Sequence, residues 1–186
     1  SFTKYNGITA NRVARILPNG NLDAGFITGS AANGVVEEVQ IQPDGKIVLA
    51  GSFDSFNGIS KNKIIRLNTD GSADTSFVIG SGFNAGVSAL VLQPDGKIIA
   101  GGDFVTYNGI IANKIVRLNI DGSIDVSFVS GLGFNGGVVE VIKLNSAGAV
   151  MVGGSFTGTY NGIDVNRLTF LSSNGILDPI FDIGAG

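Results

Sequence analysis

The sequence predicts an all-β fold assembled from about three and a half copies of one unit of roughly fifty residues. Three observations lead to this prediction. Glycine makes up 29 of the 186 residues and separates short β-branched runs, a pattern typical of many strands joined by tight turns. Phenylalanine recurs at Phe2, Phe53, Phe104 and Phe156, in steps of 51, 51 and 52 residues. Each unit also contains two hairpin patterns, and four short strands per unit are typical of a β-propeller blade.

Several further motifs repeat in the same frame. An aromatic-Asn-Gly-Ile motif occupies 5–8, 56–59, 107–110 and 160–163, and an Asn-Gly or Asp-Gly turn follows at 19–20, 70–71, 121–122 and 174–175. An Asp lies three residues after each of these turn glycines, and a Phe lies three residues after that Asp. The repeat predicts one array over 1–186, with units at 1–51, 52–102 and 103–154 and an incomplete unit at 155–186.

The two hairpins are clearest in the middle of the chain. The first joins Val87–Gln93 to Lys97–Phe104 through Pro94-Asp95-Gly96, a sequence suited to a type I turn with a left-handed glycine. The second joins Lys114–Asn119 to Ile124–Phe128. A β-trefoil uses three such units and a β-helix coil is much shorter, so both alternatives fit less well than a propeller.

The order of the hairpins leaves the array open. The chain begins and ends with the second hairpin type, so it is one first-type hairpin short of four blades. Propellers close with about four to eight blades and thereby hide their strand edges. We therefore expect the rest of a longer parent chain, or another copy, to complete the propeller. Head-to-tail pairing of two copies would place two second-type hairpins side by side, which favours a longer parent chain.

Two segments resemble a known family. Gln93 to Gly102 and Arg66 to Phe77 closely resemble the delta-60 repeat, a bacterial β-propeller-like repeat with the motifs QPDGKI-x-x-GG-F and RLN-x-DGS-x-D-x-SF. The resemblance extends over essentially the whole chain. It implies a part of a large exported or surface protein, or of a phage structural protein, and no defined enzymatic activity. The third unit departs from the pattern, with Asn145-Ser146-Ala147-Gly148-Ala149 where Pro-Asp-Gly-Lys is expected.

Composition excludes several classes of function. The chain carries a net charge of −3 and has no Lys/Arg run, so we expect no nucleic-acid partner, and no apolar stretch predicts membrane insertion. Histidine and cysteine are absent, which removes the usual bases, acyl-transfer triads and zinc sites. Residues that recur in every unit are better explained by architecture than by one active site. We expect no enzyme and no required cofactor.

The repeated aspartates are the candidate metal ligands. They lie in tight turns, which gather oxygen atoms as Ca²⁺ requires, but the calcium-loop signature is not met. Alternatively, the second Asp of each turn accepts backbone N–H groups or pairs across the hairpin with Arg66 or Arg117. The candidates are Asp70, Asp74, Asp121 and Asp125.

The aromatic-Asn loops are the candidate ligand-binding sites. A ring beside an amide is suited to stack on a sugar and to hydrogen-bond its hydroxyls, and repetition would add avidity. Alternatively, Asn-Gly forms a turn and the ring packs under a neighbouring blade. The candidates are Tyr5, Asn6, Phe56, Asn57, Tyr107, Asn108, Tyr160 and Asn161.

From the sequence we expect a non-catalytic binding or spacer module of a large extracellular or cell-surface bacterial protein, with a protein or a glycan as its partner. A lectin-like module is the second hypothesis. A phage virion component is the third.

Overall fold

The computed structural model describes residues 2–179 and 181, and this part of the chain contains strands and turns but no helix, hence none able to cross a membrane. The strands are β1 (Lys4–Tyr5), β2 (Ile8–Thr9), β3 (Val36–Ile41), β4 (Ile47–Gly51), β5 (Ser55–Phe56), β6 (Ile59–Ser60), β7 (Ile64–Leu67), β8 (Val87–Leu92), β9 (Ile98–Gly102), β10 (Thr106–Tyr107), β11 (Ile110–Ile111), β12 (Ile115–Leu118), β13 (Val139–Leu144), β14 (Val150–Gly154), β15 (Thr159–Tyr160), β16 (Ile163–Asp164) and β17 (Leu168–Leu171).

Three of the sheets are three-stranded, antiparallel and equivalent, and we call them blades 1, 2 and 3. Blade 1 contains β3, β4 and β7, blade 2 contains β8, β9 and β12, and blade 3 contains β13, β14 and β17. We call the three strands A, B and C in chain order, and strand B lies between the other two. Residues 13–26, which precede blade 1, carry only a C–D pair joined by the bridge between Ile16 and Leu22. We call this segment the half-blade.

The predicted all-β propeller fold is confirmed, although the fourth strand is shorter than the sequence predicts. In blade 2, position D is the single residue Ile124, which bridges to Leu118. The strand stops there because the backbone N–H of Phe128 donates to the carbonyl of Asp125, and that of Ser127 to its Oδ1. These two bonds turn the chain immediately after the bridge.

The aromatic-Asn-Gly-Ile motifs form small hairpins of their own, which we call the Asn-Gly hairpins: β1–β2, β5–β6, β10–β11 and β15–β16. Asn108 and Gly109 both have positive φ, 48° and 76°, which is the type I′ geometry that matches strand twist. Each of the last three hairpins connects strands B and C of one blade. Consequently every blade takes its A and B strands from one predicted unit and its C strand from the next.

The blades stack with their A strands adjacent, since β8 contacts both β3 and β13. This places strand A on the inner side of the array and position D on the outer side. The apolar core lies between blades: one cluster joins Val48 and Ala50 of blade 1 to Leu90 of blade 2, and another joins Ile99 of blade 2 to Ile142 of blade 3. The stacking of flat apolar faces is therefore the main stabilising contact of the array.

Candidate functional site

The candidate aspartate Asp74 lies in a buried charge cluster that we call the clamp. Its Oδ2 accepts from Arg66 Nε at 2.7 Å and from Lys46 Nζ at 2.9 Å, while Oδ1 accepts from the backbone N–H and the hydroxyl of Ser76. The side chain of Arg66 is only 4% exposed, and its guanidinium lies over the Phe77 ring. The structure therefore contains both predicted arrangements, a bond from a backbone N–H and pairing with the arginine across the hairpin.

Blade 2 repeats the clamp with Asp125. Arg117 Nε and Lys97 Nζ both donate to its Oδ2, at 2.8 and 2.7 Å, and Ser127 holds Oδ1. Burial alone would raise the pKa of Asp125, but the hydrogen bonds from Lys97 and Ser127 lower it well below its usual range. The pKa of Asp74 is lowered in the same way. Both carboxylates are thus fixed as anions.

The clamp also ties one blade to the next. Arg66 Nη1 donates to the carbonyl of Ile120, in the turn between positions C and D of blade 2, at 2.5 Å. Arg117 Nη1 donates at the same distance to the carbonyl of Ser173 in blade 3. Beside these bonds, the backbone N–H of Val78 donates to the carbonyl of Asp121 at 2.8 Å. The arginines therefore serve packing between blades.

The half-blade and blade 3 have incomplete clamps. In the half-blade, Arg15 pairs with Asp23 at 2.7 Å, but the Arg15 side chain is 40% exposed. In blade 3, Phe170 stands where Arg117 stands in blade 2, and Ala149 stands where Lys97 stands. The Phe170 ring instead lies 4.4 Å from that of Phe181, centroid to centroid.

The other two metal candidates, Asp70 and Asp121, cap their own turns. Asp70 Oδ1 accepts from the backbone N–H and the hydroxyl of Ser72, and Asp121 does the same with Ser123. The serine hydroxyl bond is the main reason why the pKa of each aspartate is lowered. In the described part of the chain no three acidic side chains come together as a metal site. The four aspartates act as turn and clamp residues here.

The rings of the Asn-Gly hairpins point into the protein. Phe56, Tyr107 and Tyr160 are at most 1% exposed, while Tyr5 is half-buried. The Tyr107 hydroxyl donates to the carbonyl of Gly122 at 2.6 Å, and that of Tyr160 to Gly175 at 2.6 Å. Burial raises the pKa of both tyrosines. These ring faces pack on Phe83 and Phe134 of the preceding loops, so a sugar would not find them exposed.

The asparagines of these hairpins hold the same loops. Asn57 Oδ1 accepts from the backbone N–H of Ala31 at 2.9 Å, Asn108 Oδ1 from that of Ser81 at 3.1 Å, and Asn161 Oδ1 from that of Gly133 at 3.1 Å. Asn6 lies in the first hairpin, which has no preceding loop in the described part of the chain. The sequence candidates are thus spread one set per blade, and the aromatic-Asn pairs act as turn and packing elements.

The surface beside these hairpins was not predicted from the sequence. A groove of about 520 Å³ lies between the Asn-Gly hairpin and the C–D turn of blade 2 and is lined by Val78, Tyr107, Ile110, Ile124 and Val126 among others. Its walls are exposed aliphatic side chains: Val78 is 66% exposed and Ile110 57%. We call Val78 and Ile110 the rim pair of blade 2.

The rim pair recurs in the other blades. Ile27 and Ile59, 67% and 59% exposed, are the equivalents at blade 1, and Val129 and Ile163, 52% and 56% exposed, at blade 3. A signal was present in the sequence, since an aliphatic residue directly follows the repeated Phe at Ile27, Val78 and Val129. Periodicity alone did not tell which side of that segment faces solvent.

A family model described as "Domain of unknown function (DUF5122) beta-propeller" matches residues 1–26, 42–77 and 93–128, a little over half of the chain. The chain belongs to the DUF5122 β-propeller family. The two later DUF5122 segments run from the A–B turn to the Phe after position D in blades 1 and 2, and the incomplete clamp of blade 3 lies outside them.

Solved structures and curated proteins add little to the DUF5122 assignment. No curated protein matches the chain. An X-ray structure described as a "putative gluconolactonase" matches with 14% identity and a TM-score of 0.42, over 88% of this chain and 55% of the other. A crystal structure of a protein of unknown function from Bacteroides caccae matches with 13% identity and a TM-score of 0.33, over 88% and 72%. The DUF5122 chain thus spans about half the length of the first structure, and neither similarity bears on activity.

Proposed function

We propose that this chain is a non-catalytic binding or spacer module, built from delta-60-type propeller repeats, of a large exported or cell-surface bacterial protein. Its partner in this proposal is another protein. The observation that carries the proposal is the rim pair, an exposed aliphatic pair repeated in the same place on three successive blades. Exposed apolar patches commonly mark surfaces that contact another protein.

The chemistry of the polar residues supports a non-catalytic role. Asp74 and Asp125 are each held by two cations, so neither is free to take up a proton near neutral pH. All three Glu residues, Glu37, Glu38 and Glu140, lie on A strands, away from the groove of blade 2. The groove itself is lined by aliphatic side chains and turn backbone, which suits contact with apolar side chains of a protein.

The rim pairs on three successive blades also favour a multivalent mode. A weak contact at one rim pair becomes a stronger attachment when several rim pairs engage the same partner. A surface protein that must hold another protein under flow or shear gains from such avidity, and a spacer gains from the stiffness of stacked blades. Both roles are compatible with a surface feature that repeats from blade to blade.

The test is selection of a random-peptide phage library on the immobilised protein. We expect enrichment of peptides rich in aliphatic residues, and at least a tenfold weaker affinity for the variant carrying Val78→Asp and Ile110→Asp. Val141→Asp, at an aliphatic residue of β13 that is 41% exposed and lies outside the rim pairs, is the control and should bind as the unmodified protein does. If no peptide is enriched, or if both variants lose binding equally, the rim pair is not the binding surface.

Antibody labelling of intact cells of the source bacterium tests the location. Labelling that appears only after permeabilisation would contradict an exported or surface-exposed protein. A glycan array separates the lectin-like alternative, for which the buried hairpin rings leave little stacking surface. A phage origin is tested by the genes beside the coding sequence, because virion components are encoded together.

A further inference from the structure

On the face of β3 that is turned away from blade 2, two apolar side chains are uncovered. Val39 is 50% exposed and Ile41 69%. In the next blades the residues equivalent to Ile41, Leu92 and Leu144, are partly buried. Those equivalent to Val39 lie in the core: Leu90 is 3% exposed, and Ile142 2%. The same strand position is therefore exposed in blade 1 and buried in blades 2 and 3.

What covers this position in blades 2 and 3 is known from the structure itself. Leu90 and Leu92 of blade 2 pack in one cluster with Val48 and Ala50, which lie on strand B of blade 1. In blade 3, Ile142 packs in one cluster with Ile99, which lies on strand B of blade 2. The occupant of this face is thus the A–B hairpin of the preceding blade.

The half-blade supplies only the outer part of that cover. Its Val13 and Phe26 pack against Leu49, Ile65 and Leu67 of blade 1, as Ile64 and Phe77 of blade 1 do in the next interface. Positions C and D are therefore filled in front of blade 1. In the described part of the chain, nothing stands at positions A and B, directly in front of Val39 and Ile41.

Charge points to the same occupant. Asp74 and Asp125 each bind a lysine, Lys46 or Lys97, from the turn that opens strand B of their own blade. Asp23 of the half-blade pairs with Arg15, and the residues described include no lysine bound to it. Its side chain is 19% exposed, against 7% for Asp74 and 8% for Asp125. A hairpin with a Pro-Asp-Gly-Lys turn would bring the second cation to Asp23.

We propose that the exposed face of β3, together with Asp23, is a docking site for one further A–B hairpin of the same repeat, with aliphatic residues on strand B and a lysine after its turn. This site continues an interface that the chain already forms twice. It holds whether or not the rim pairs bind a protein, because the two surfaces use different residues.

The test adds a second copy of residues 86–102 directly before Ser1. No linker is needed, because Phe104 and Phe2 are equivalent and the added strand B then ends at its natural distance from the half-blade. Docking should raise the Tm by about 5 °C or more and slow amide exchange across β3. Unchanged exchange in β3 would overturn the proposal.

Two substitutions make the test specific. Val39→Asp should shift the Tm of the unextended protein by no more than about 2 °C, as at an exposed site, and should remove most of the gain in the extended protein. Val126→Asp, at a residue that is 89% exposed in blade 2, is the control and should leave the gain intact. Replacing the lysine of the added hairpin by alanine should reduce the gain in part. If Val39→Asp lowers the Tm of the extended and the unextended protein by the same amount, the hairpin does not occupy this face.

Discussion

The substitution Arg66→Met tests whether the clamp holds adjacent blades together. Arg66 is 3% exposed and donates to Asp74, to Ser76 and, in the next blade, to the carbonyl of Ile120. Methionine keeps much of the aliphatic volume, so the change removes mainly the charge and its hydrogen bonds. Removing one partner of a buried ion pair typically costs 3–5 kcal/mol, because the other charge is left without compensation.

The structure places the expected cost at the lower end of that range. Lys46 still neutralises Asp74 after the substitution, at 2.9 Å, so the carboxylate is not left alone. The carbonyl of Ile120 also loses its donor, but Ile120 is 55% exposed, so water can take the donor's place and this loss adds little. We expect a loss of about 3 kcal/mol in the free energy of unfolding.

A urea titration followed by far-UV circular dichroism measures this loss. At an m-value of about 3 kcal/mol per M, the midpoint should fall by about 1 M. Arg15→Met is the matched control: Arg15 makes the same bonds to Asp23 and Thr69, but its side chain is 40% exposed, so its loss should be clearly smaller. If Arg66→Met lowers the midpoint no more than Arg15→Met does, the clamp does not stabilise the interface between blades.

Three further predictions follow from single contacts. Tyr107→Phe removes a buried hydrogen bond to Gly122 and should lower the free energy of unfolding by about 1 kcal/mol. Phe56→Tyr, at the equivalent place in blade 1, should lower it less or should raise it. Urea midpoints measure both effects. Gly122→Ala should lower the Tm more than Gly109→Ala, since both have positive φ but only at Gly122 would the added Cβ meet backbone, 2.9 Å from the carbonyl of Val78. The pKa of Asp125 is lower in the folded protein than in the unfolded chain. Its carboxylate therefore contributes fully to the free energy of unfolding at neutral pH, and this contribution is lost as the pH falls below about 5. The difference in the free energy of unfolding between the unmodified protein and Asp125→Asn should therefore become smaller as the pH falls through that range, as measured by urea titration. If this difference does not change with pH, Asp125 does not stabilise the fold as an anion.

The sequence was sufficient for the features that depend on local turn chemistry and repeat spacing. Gly96 has φ +83°, as the Pro-Asp-Gly turn requires, and the predicted hairpin over Val87–Gln93 and Lys97–Phe104 is observed as β8 and β9. The pairing of Arg66 with Asp74 was also predictable, because the two residues are eight positions apart on adjacent arms of one hairpin.

Contacts that depend on the order of strands in the sheet were not predictable in the same way. Lys46 is 28 positions from Asp74, and Arg66 is 54 positions from the carbonyl of Ile120. Neither distance in sequence signals a contact until the stacking of blades is known. The burial of Tyr107 has the same origin, since its ring packs against Phe83 from the preceding loop, 4.5 Å away. The aromatic-Asn motif is equally suited to bind a sugar and to hold a loop. Which role it takes depends on whether a loop of the neighbouring blade packs on its ring.

The loop that packs on each of the later Asn-Gly hairpins also predicts how fast the asparagine of that hairpin deamidates. Deamidation requires the backbone nitrogen of the glycine to attack the side-chain carbonyl carbon of the asparagine, with release of ammonia. Asn57, Asn108 and Asn161 each have Oδ1 held by a backbone N–H of the preceding loop, which restricts the rotation that the attack requires. Asn6 has the same turn geometry, with φ 46°, but no such bond among the residues described. In peptide mapping by mass spectrometry after incubation at mildly alkaline pH, Asn6 should deamidate first among the four asparagines of the Asn-Gly hairpins, while Asn108 should follow only after urea loosens the loop. Equal rates at the four sites in the native protein would mean that the turn itself, and not the loop above it, protects the asparagines.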